Sequence, residues 1–147
     1  MNEGERKSLL FGKEFVKENN GEIAMMLDER LRTDKITPEL IDYIVEKIVR
    51  EIQPEKIILY GSYARGDFHK DSDVDLFIIK DSDGASRMME RKVDGLFNGR
   101  LFPLDIRVRK PSEVAWNFRA QNPFYLYHIF KDGKVLYEKN AGVAKAA

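Results

Sequence analysis

A chain of 147 residues is long enough to bury one core, and a content of 43% hydrophobic and 34% charged residues is that of a folded domain somewhat rich in charge. Lys plus Arg equals Asp plus Glu at 25 each, so no global basic field points to direct nucleic-acid binding. Cysteine is absent, which removes disulfides, thiolate zinc sites and cysteine nucleophiles; no apolar run reaches the length of a membrane span or forms a signal-peptide core, and the expected location is the cytoplasm.

From the N-terminus, Leu9, Leu10, Phe11, Phe15, Ile23, Met25, Met26, Leu27 and Leu31 sit among many charges. Residues 1–33 therefore read as a helical extension of one or two amphipathic helices, interrupted at Asn19-Asn20-Gly21. Thr37 and Pro38 are a strong helix start. Leu40, Ile41, Ile44, Val45, Ile48 and Ile52 then repeat at helical spacing until Pro54. Ile57 to Tyr60 predicts a first strand, followed by a short helical turn, a strand at Val74 to Ile79 and a helix across about Ala85 to Phe97. Leu101 to Arg109 predicts a third strand, with Leu104, Ile106 and Val108 on an apolar face and Asp105, Arg107 and Arg109 on the other. A helix starts near Pro111, another opens at Pro123 and reaches Phe130, and Val135-Leu136-Tyr137 follows the Asp132-Gly133 turn. The order gives an α+β fold, a small mixed β-sheet with helices packed mainly on one face. Trp116 and the neighbouring aromatics are expected in the core or an interface, and residues 141–147 as a disordered tail.

The chemistry concentrates in Gly61-Ser62-Tyr63-Ala64-Arg65-Gly66 and Ser72-Asp73-Val74-Asp75-Leu76. Asp73 and Asp75, two residues apart at the head of a strand, project from one face. Two carboxylates so placed repel unless a cation holds them, and hard oxygen ligands of this kind suit Mg²⁺ or Mn²⁺. Ser62 is placed to cap a helical turn whose first amides attract anions, with Gly61 admitting a ligand close to the backbone and Gly66 ending the turn at positive φ. Asp105 lies on the polar face of a later strand. His69 and His128 read as a solvent-facing loop residue and part of a packed helix.

Gly-Ser-x-Ala-Arg-Gly followed after five residues by Ser-Asp-x-Asp-Leu resembles the signature of the DNA polymerase β-like nucleotidyltransferases, in particular their minimal branch, over Gly61 to Leu76. The resemblance implies a nucleotidyltransferase fold, with residues 34–140 as the minimal domain. It implies transfer of a nucleoside monophosphate, AMP from ATP, to an acceptor hydroxyl. Asp73, Asp75 and Asp105 would be the catalytic and metal-holding residues, using two Mg²⁺ ions with Mn²⁺ as the alternative. Gly61 and Ser62 would hold the β- and γ-phosphates. Arg65 is either a phosphate donor or a buttress for the aspartates, and Arg107, Arg109 and Lys110 are either further phosphate or acceptor contacts or a solvated strand edge.

Only about forty residues follow Asp105, so a partner subunit or a homodimer is expected to complete the acceptor site. In minimal members of the family the recurrent partner is a helical protein of the HEPN type, a toxin that the transferase modifies as its antitoxin. Two alternatives stand beside this: modification of a small molecule such as an aminoglycoside, and a binding module that inhibits its partner by occlusion without turnover.

Overall fold

The computed structural model describes residues 15–19, 22–26 and 28–144. Phe15–Asn19 (β1) and Glu22–Met26 (β2) pair antiparallel, Phe15 opposite Met26 and Asn19 opposite Glu22. The helical expectation for the 1–33 extension is corrected here over residues 15–19 and 22–26. Ile23 and Met25 alternate with Glu22 and Ala24, a period of two, and Asn-Gly between two short apolar runs is a hairpin signal rather than a helix break. The helices expected before Phe15 lie outside the described residues.

Thr37 and Pro38 start α1, Pro38–Ile52, as expected: the Thr37 Oγ1 accepts a hydrogen bond from the Leu40 amide at 3.1 Å. Its apolar face, Leu40, Ile41, Ile44, Val45, Ile48 and Ile52, is buried. One polar knot is buried beside it. The Asp28 carboxylate accepts from the Tyr43 hydroxyl and, at 3.1 Å, from the Arg30 amide, and it lies 3.7 Å from the Lys47 ammonium. Asp28 and Lys47 are each only 1% exposed. A charge pair so deep is kept from water on condition that its remaining donors and acceptors are satisfied, so the knot fixes the segment before α1 against the helix in one geometry.

Five strands form the main sheet in the order β5-β4-β3-β6-β7, with β3 at Lys56–Tyr60, β4 at Val74–Ile79, β5 at Leu104–Arg109, β6 at Lys134–Glu138 and β7 at Gly142–Val143. β4 and β5 are parallel and the other neighbours antiparallel. Between them run α2 (Ser62–Arg65), α3 (Ser86–Gly95), α4 (Pro111–Arg119) and a π-helix at Phe124–Lys131. The parallel β4–β5 pair needs a crossover, which α3 supplies.

The two sheet faces are unequal. One carries Ile57, Leu59, Val74, Leu76, Ile78, Leu104, Ile106 and Val108 and packs with α1 and with Val93 of α3 into the larger core. The other carries Ile58, Tyr60, Phe77 and Ile79 and packs with Val114, Tyr125 and Ile129 into a smaller one. That second cluster stops short of the β4–β5 end of its face, and the polar side chains gather there. The α+β expectation and the larger helical layer on one face agree with this arrangement.

One further expectation is corrected. Residues 141–144 are paired rather than disordered: Glu138 is in register with Gly142, and the Ala144 amide donates to the Leu136 carbonyl at 2.8 Å. Backbone pairing of this kind needs no apolar side chains, so the small residues of the tail gave no sign of it. Of the C-terminal aromatics, Tyr125 is buried in the smaller core, whereas Trp116, 62% exposed, and Phe118, 51%, lie at the surface. Among the described residues no helix is long and apolar enough to cross a membrane.

Candidate active site

β3 runs into α2 through Gly61, whose φ of 75° and ψ of −155° place it in a region open to glycine alone. The cap residue of α2 is therefore Gly61, and Ser62 is the first residue of the turn, where the sequence placed Ser62 as the cap. The turn demands a backbone that swings sharply out of the strand, and that demand outweighs the capping preference of serine. The Gly61 carbonyl accepts from the amides of Ala64 and Arg65, both at 3.1 Å, and Gly66 ends the turn at a φ of 88°. First-turn amides of a helix, here those of Ser62 and Tyr63, have no partner within it.

The loop to β4 is tied by Ser72, which is buried: its Oγ accepts from the His69 amide at 2.9 Å and its amide donates to the His69 carbonyl at 3.0 Å. His69 is exposed, as expected, and its Nδ1 accepts from the Asp71 amide at 3.3 Å. This knot delivers Asp73 to the start of β4. Asp73 is exposed and lies just ahead of the strand, while Asp75 is half-buried within it.

Register places Tyr60, Asp75 and Asp105 in one row across β3, β4 and β5: Tyr60 is opposite Asp75, and Asp75 beside Asp105. Side chains in one row share a face. The Tyr60 hydroxyl donates to Asp105 Oδ2 at 3.3 Å, and Arg107 Nε lies 3.5 Å from the same oxygen. Burial first, and then the charge of Asp105, hold the Tyr60 phenol well above its usual range, so it remains a donor. The Arg107 guanidinium lies over the Phe124 ring at 5.0 Å, and Phe124 meets Tyr60 edge to face at 5.6 Å. Arg65 pairs with Asp67 at 3.2 Å. His128 is exposed on the π-helix rather than packed in its interior.

The three carboxylates act on one another. Asp75 is pushed up from 3.8 to about 6, first by burial, then by Asp105 and Asp73, with Arg107 and Arg65 opposing. The folded protein thus holds a proton on Asp75 at pH values where the unfolded chain has lost it. This contribution to stability is present at acid pH and is lost as pH rises from about 4 through 6. Urea titrations of the wild type and Asp75→Asn across pH 4 to 7 are expected to diverge upward through this window, the variant gaining on the wild type; parallel curves would contradict the raised titration.

The donor set, three aspartates beside a glycine–serine turn, has the chemistry of a hard divalent-cation site. Among the described residues no group of three or more His, Cys, Asp or Glu is drawn close enough to hold an ion as it stands.

A polar groove of about 750 Å³ opens from this end of the sheet, bordered by Asp73 and Asp105 on one side and by Asp94, Asn98, Arg100 and Leu101 on the other. Arg100 braces its far wall, donating to Asp94 at 3.0 Å and to the Leu104 carbonyl at 3.4 Å. Sequence reasoning placed Gly61, Ser62, Asp73, Asp75 and Asp105, and the structure brings all five to one end of the sheet. It missed Tyr60, Phe124 and Ser72, and gave Arg107 no part in holding Asp105. Tyr60 carried one usable signal: it directly precedes the glycine turn and alternates with Ile58, which turns it to the face that Asp75 shares.

Residues 42–142 match the family described as polymerase beta, nucleotidyltransferase. The chain is 40% identical over 108 residues, 73% of its length and all of the relative's, to a protein of Methanocaldococcus jannaschii named "Putative protein adenylyltransferase MJ0604". Its fold resembles the crystal structure of a "putative nucleotidyltransferase" from Sulfolobus solfataricus, with a TM-score of 0.52 and 20% identity, covering 73% of this chain and 85% of that one. The chain belongs to the polymerase β-type nucleotidyltransferase family and is a nucleotidyltransferase.

Proposed function

We propose that this nucleotidyltransferase transfers AMP from ATP to a hydroxyl of a partner protein, in the manner of an antitoxin acting on a HEPN-type toxin. The observation that carries the transfer itself is the row of Asp75 beside Asp105 at the mouth of the Gly61–Ser62 turn. The M. jannaschii relative's name, which specifies a protein adenylyltransferase, supports AMP as the group moved and protein as the acceptor class. The open groove beside Asp73 and Asp105, with Leu101 60% exposed at its edge, suits a polypeptide better than a small molecule, which requires a closed pocket.

In this reading Gly61 and Ser62 hold the β- and γ-phosphates against the start of α2. Asp73 and Asp75 would hold two divalent ions, Mg²⁺ or Mn²⁺, and Asp105 would join them at one. When bound, such ions neutralise charge on the attacking and departing oxygens of an in-line displacement. The acceptor oxygen bonds to the α-phosphorus, the bond to the bridging oxygen of the β-phosphate breaks, and pyrophosphate leaves. Asp105 takes the proton from the acceptor hydroxyl. Arg65, paired with Asp67 and lowering the titration of Asp75, acts as the buttress in this scheme rather than as a phosphate clamp. Occlusion without turnover is disfavoured by the convergence of all three acids and the turn.

Lysate of the source organism incubated with the purified protein, Mg²⁺ and each α-labelled nucleoside triphosphate tests substrate and acceptor together. One labelled protein band, strongest with ATP and containing a helical partner by mass spectrometry, is the expected result. Label confined to small molecules would move the acceptor to the aminoglycoside-like alternative.

A further inference from the structure

Asp105 is the most exposed to misplacement of the two strand-borne acids. It sits on the edge strand β5, with a half-exposed side chain and a neighbour on one side only. A carboxylate so placed has several rotamers open to it, and catalysis by proton removal tolerates little error in position. Two contacts to the carboxylate narrow the choice. The Tyr60 hydroxyl reaches past Asp75 from two strands away to Asp105 Oδ2 at 3.3 Å, and Arg107 Nε approaches the same oxygen at 3.5 Å. Phe124 of the π-helix then fixes both donors, lying under the Arg107 guanidinium at 5.0 Å and against the Tyr60 ring at 5.6 Å. Both donors converge on one oxygen of the carboxylate, which leaves Oδ1 for chemistry.

We propose that Tyr60 and Arg107, braced by Phe124, are positioning residues that hold Asp105 by Oδ2 and so present Oδ1 to the acceptor hydroxyl. The inference rests on the reading of Asp105 as a member of the catalytic set. It explains why a tyrosine occupies a position whose ring already packs well in the smaller core: Tyr60 is 6% exposed and its ring alone would satisfy the packing. It also gives the irregular Phe124–Lys131 segment a role at the site. The π-helix is locked by a bond from the Asp132 amide to the Tyr127 carbonyl five residues back, and such segments are frequent where a side chain must be held at a site.

The Gly61–Ser62 turn binds the triphosphate independently of these contacts, so their loss is expected in kcat and not in the KM for nucleotide. Tyr60→Phe keeps the ring and removes the hydroxyl. Its kcat is expected to fall about tenfold, the scale of one hydrogen bond to a charged group, with KM for the nucleoside triphosphate changed less than about twofold. Arg107→Gln, at a side chain 44% exposed and so safe for folding, is expected to lose a similar factor. Arg107→Lys, which keeps charge near Oδ2 but not the planar face on Phe124, is expected to recover part of it. Wild-type kcat in both Tyr60→Phe and Arg107→Gln would overturn the proposal, as would equal losses in kcat and nucleotide affinity, the pattern of general loosening. A wild type without transfer activity would instead remove the functional reading on which the proposal stands.

Discussion

Asp75→Asn is expected to cut nucleotidyl transfer by about a hundredfold to a thousandfold, while leaving the protein at least as stable as the wild type at neutral pH. Both halves follow from its place in the sheet. Asp75 stands in the centre of the row, between Tyr60 and Asp105, and is the acid on which burial and the other two carboxylates press hardest. An amide keeps the shape and removes the charge that a divalent cation requires, and loss of one preorganised charge at a transferring phosphoryl group is worth about 3–4 kcal/mol of barrier. The same change relieves repulsion with Asp73 and Asp105 in the folded state, so stability moves the other way. Steady-state kinetics and urea denaturation of the one variant check both. A variant that is inactive because it is unfolded would contradict the account, and so would one that is folded and active.

Gly61→Ala is the second large effect, and here activity and stability fall together. A methyl group at Gly61 would lie 2.3 Å from Asp75 Oδ2, well inside contact distance, at a φ of +75° that L side chains rarely adopt. The backbone strain alone is about 1–3 kcal/mol. The collision falls on the carboxylate that matters most, so either the turn or Asp75 must move. Transfer is expected to drop by about a hundredfold or more, the scale of an ångström-level misplacement, with unfolding free energy lower by about 2 kcal/mol. Unlike Tyr60→Phe, this variant is expected to raise the KM for nucleotide, because the turn itself is displaced. Kinetics with unchanged KM and kcat would show that the turn does not touch the substrate.

The parts of this architecture that were legible in the sequence are those fixed by local spacing. Thr37-Pro38 and the repeat from Leu40 to Ile52 define α1 because capping and periodicity both act within a few residues. Alternation along Leu104 to Arg109 put Asp105 on the polar face for the same reason. Glycine at Gly61 announced its turn because no other residue takes that backbone path. What escaped depends on partners distant in the chain. Tyr60 and Asp105 are forty-five residues apart, and only the register of β3, β4 and β5 brings them together. Glu22 to Met26 carries apolar residues dense enough to pass for a helix, and pairing with Phe15 to Asn19 decides for a hairpin. Gly142 and Val143 are held by backbone bonds to β6, to which side-chain composition is blind.

In the proposed reaction the Asp73, Asp75 and Asp105 end of the sheet moves a nucleotidyl group, with the bond between the α-phosphorus and its bridging oxygen breaking. The most direct measurement is a paired incubation of the protein and its acceptor with Mg²⁺ and ATP labelled either at the α- or at the γ-phosphate. The expected result is α-label on the acceptor, release of the γ-label as pyrophosphate in equal amount, and neither with Asp73→Asn/Asp75→Asn. Transfer of the γ-label to the acceptor, or α-labelling that survives in that double variant, would contradict it.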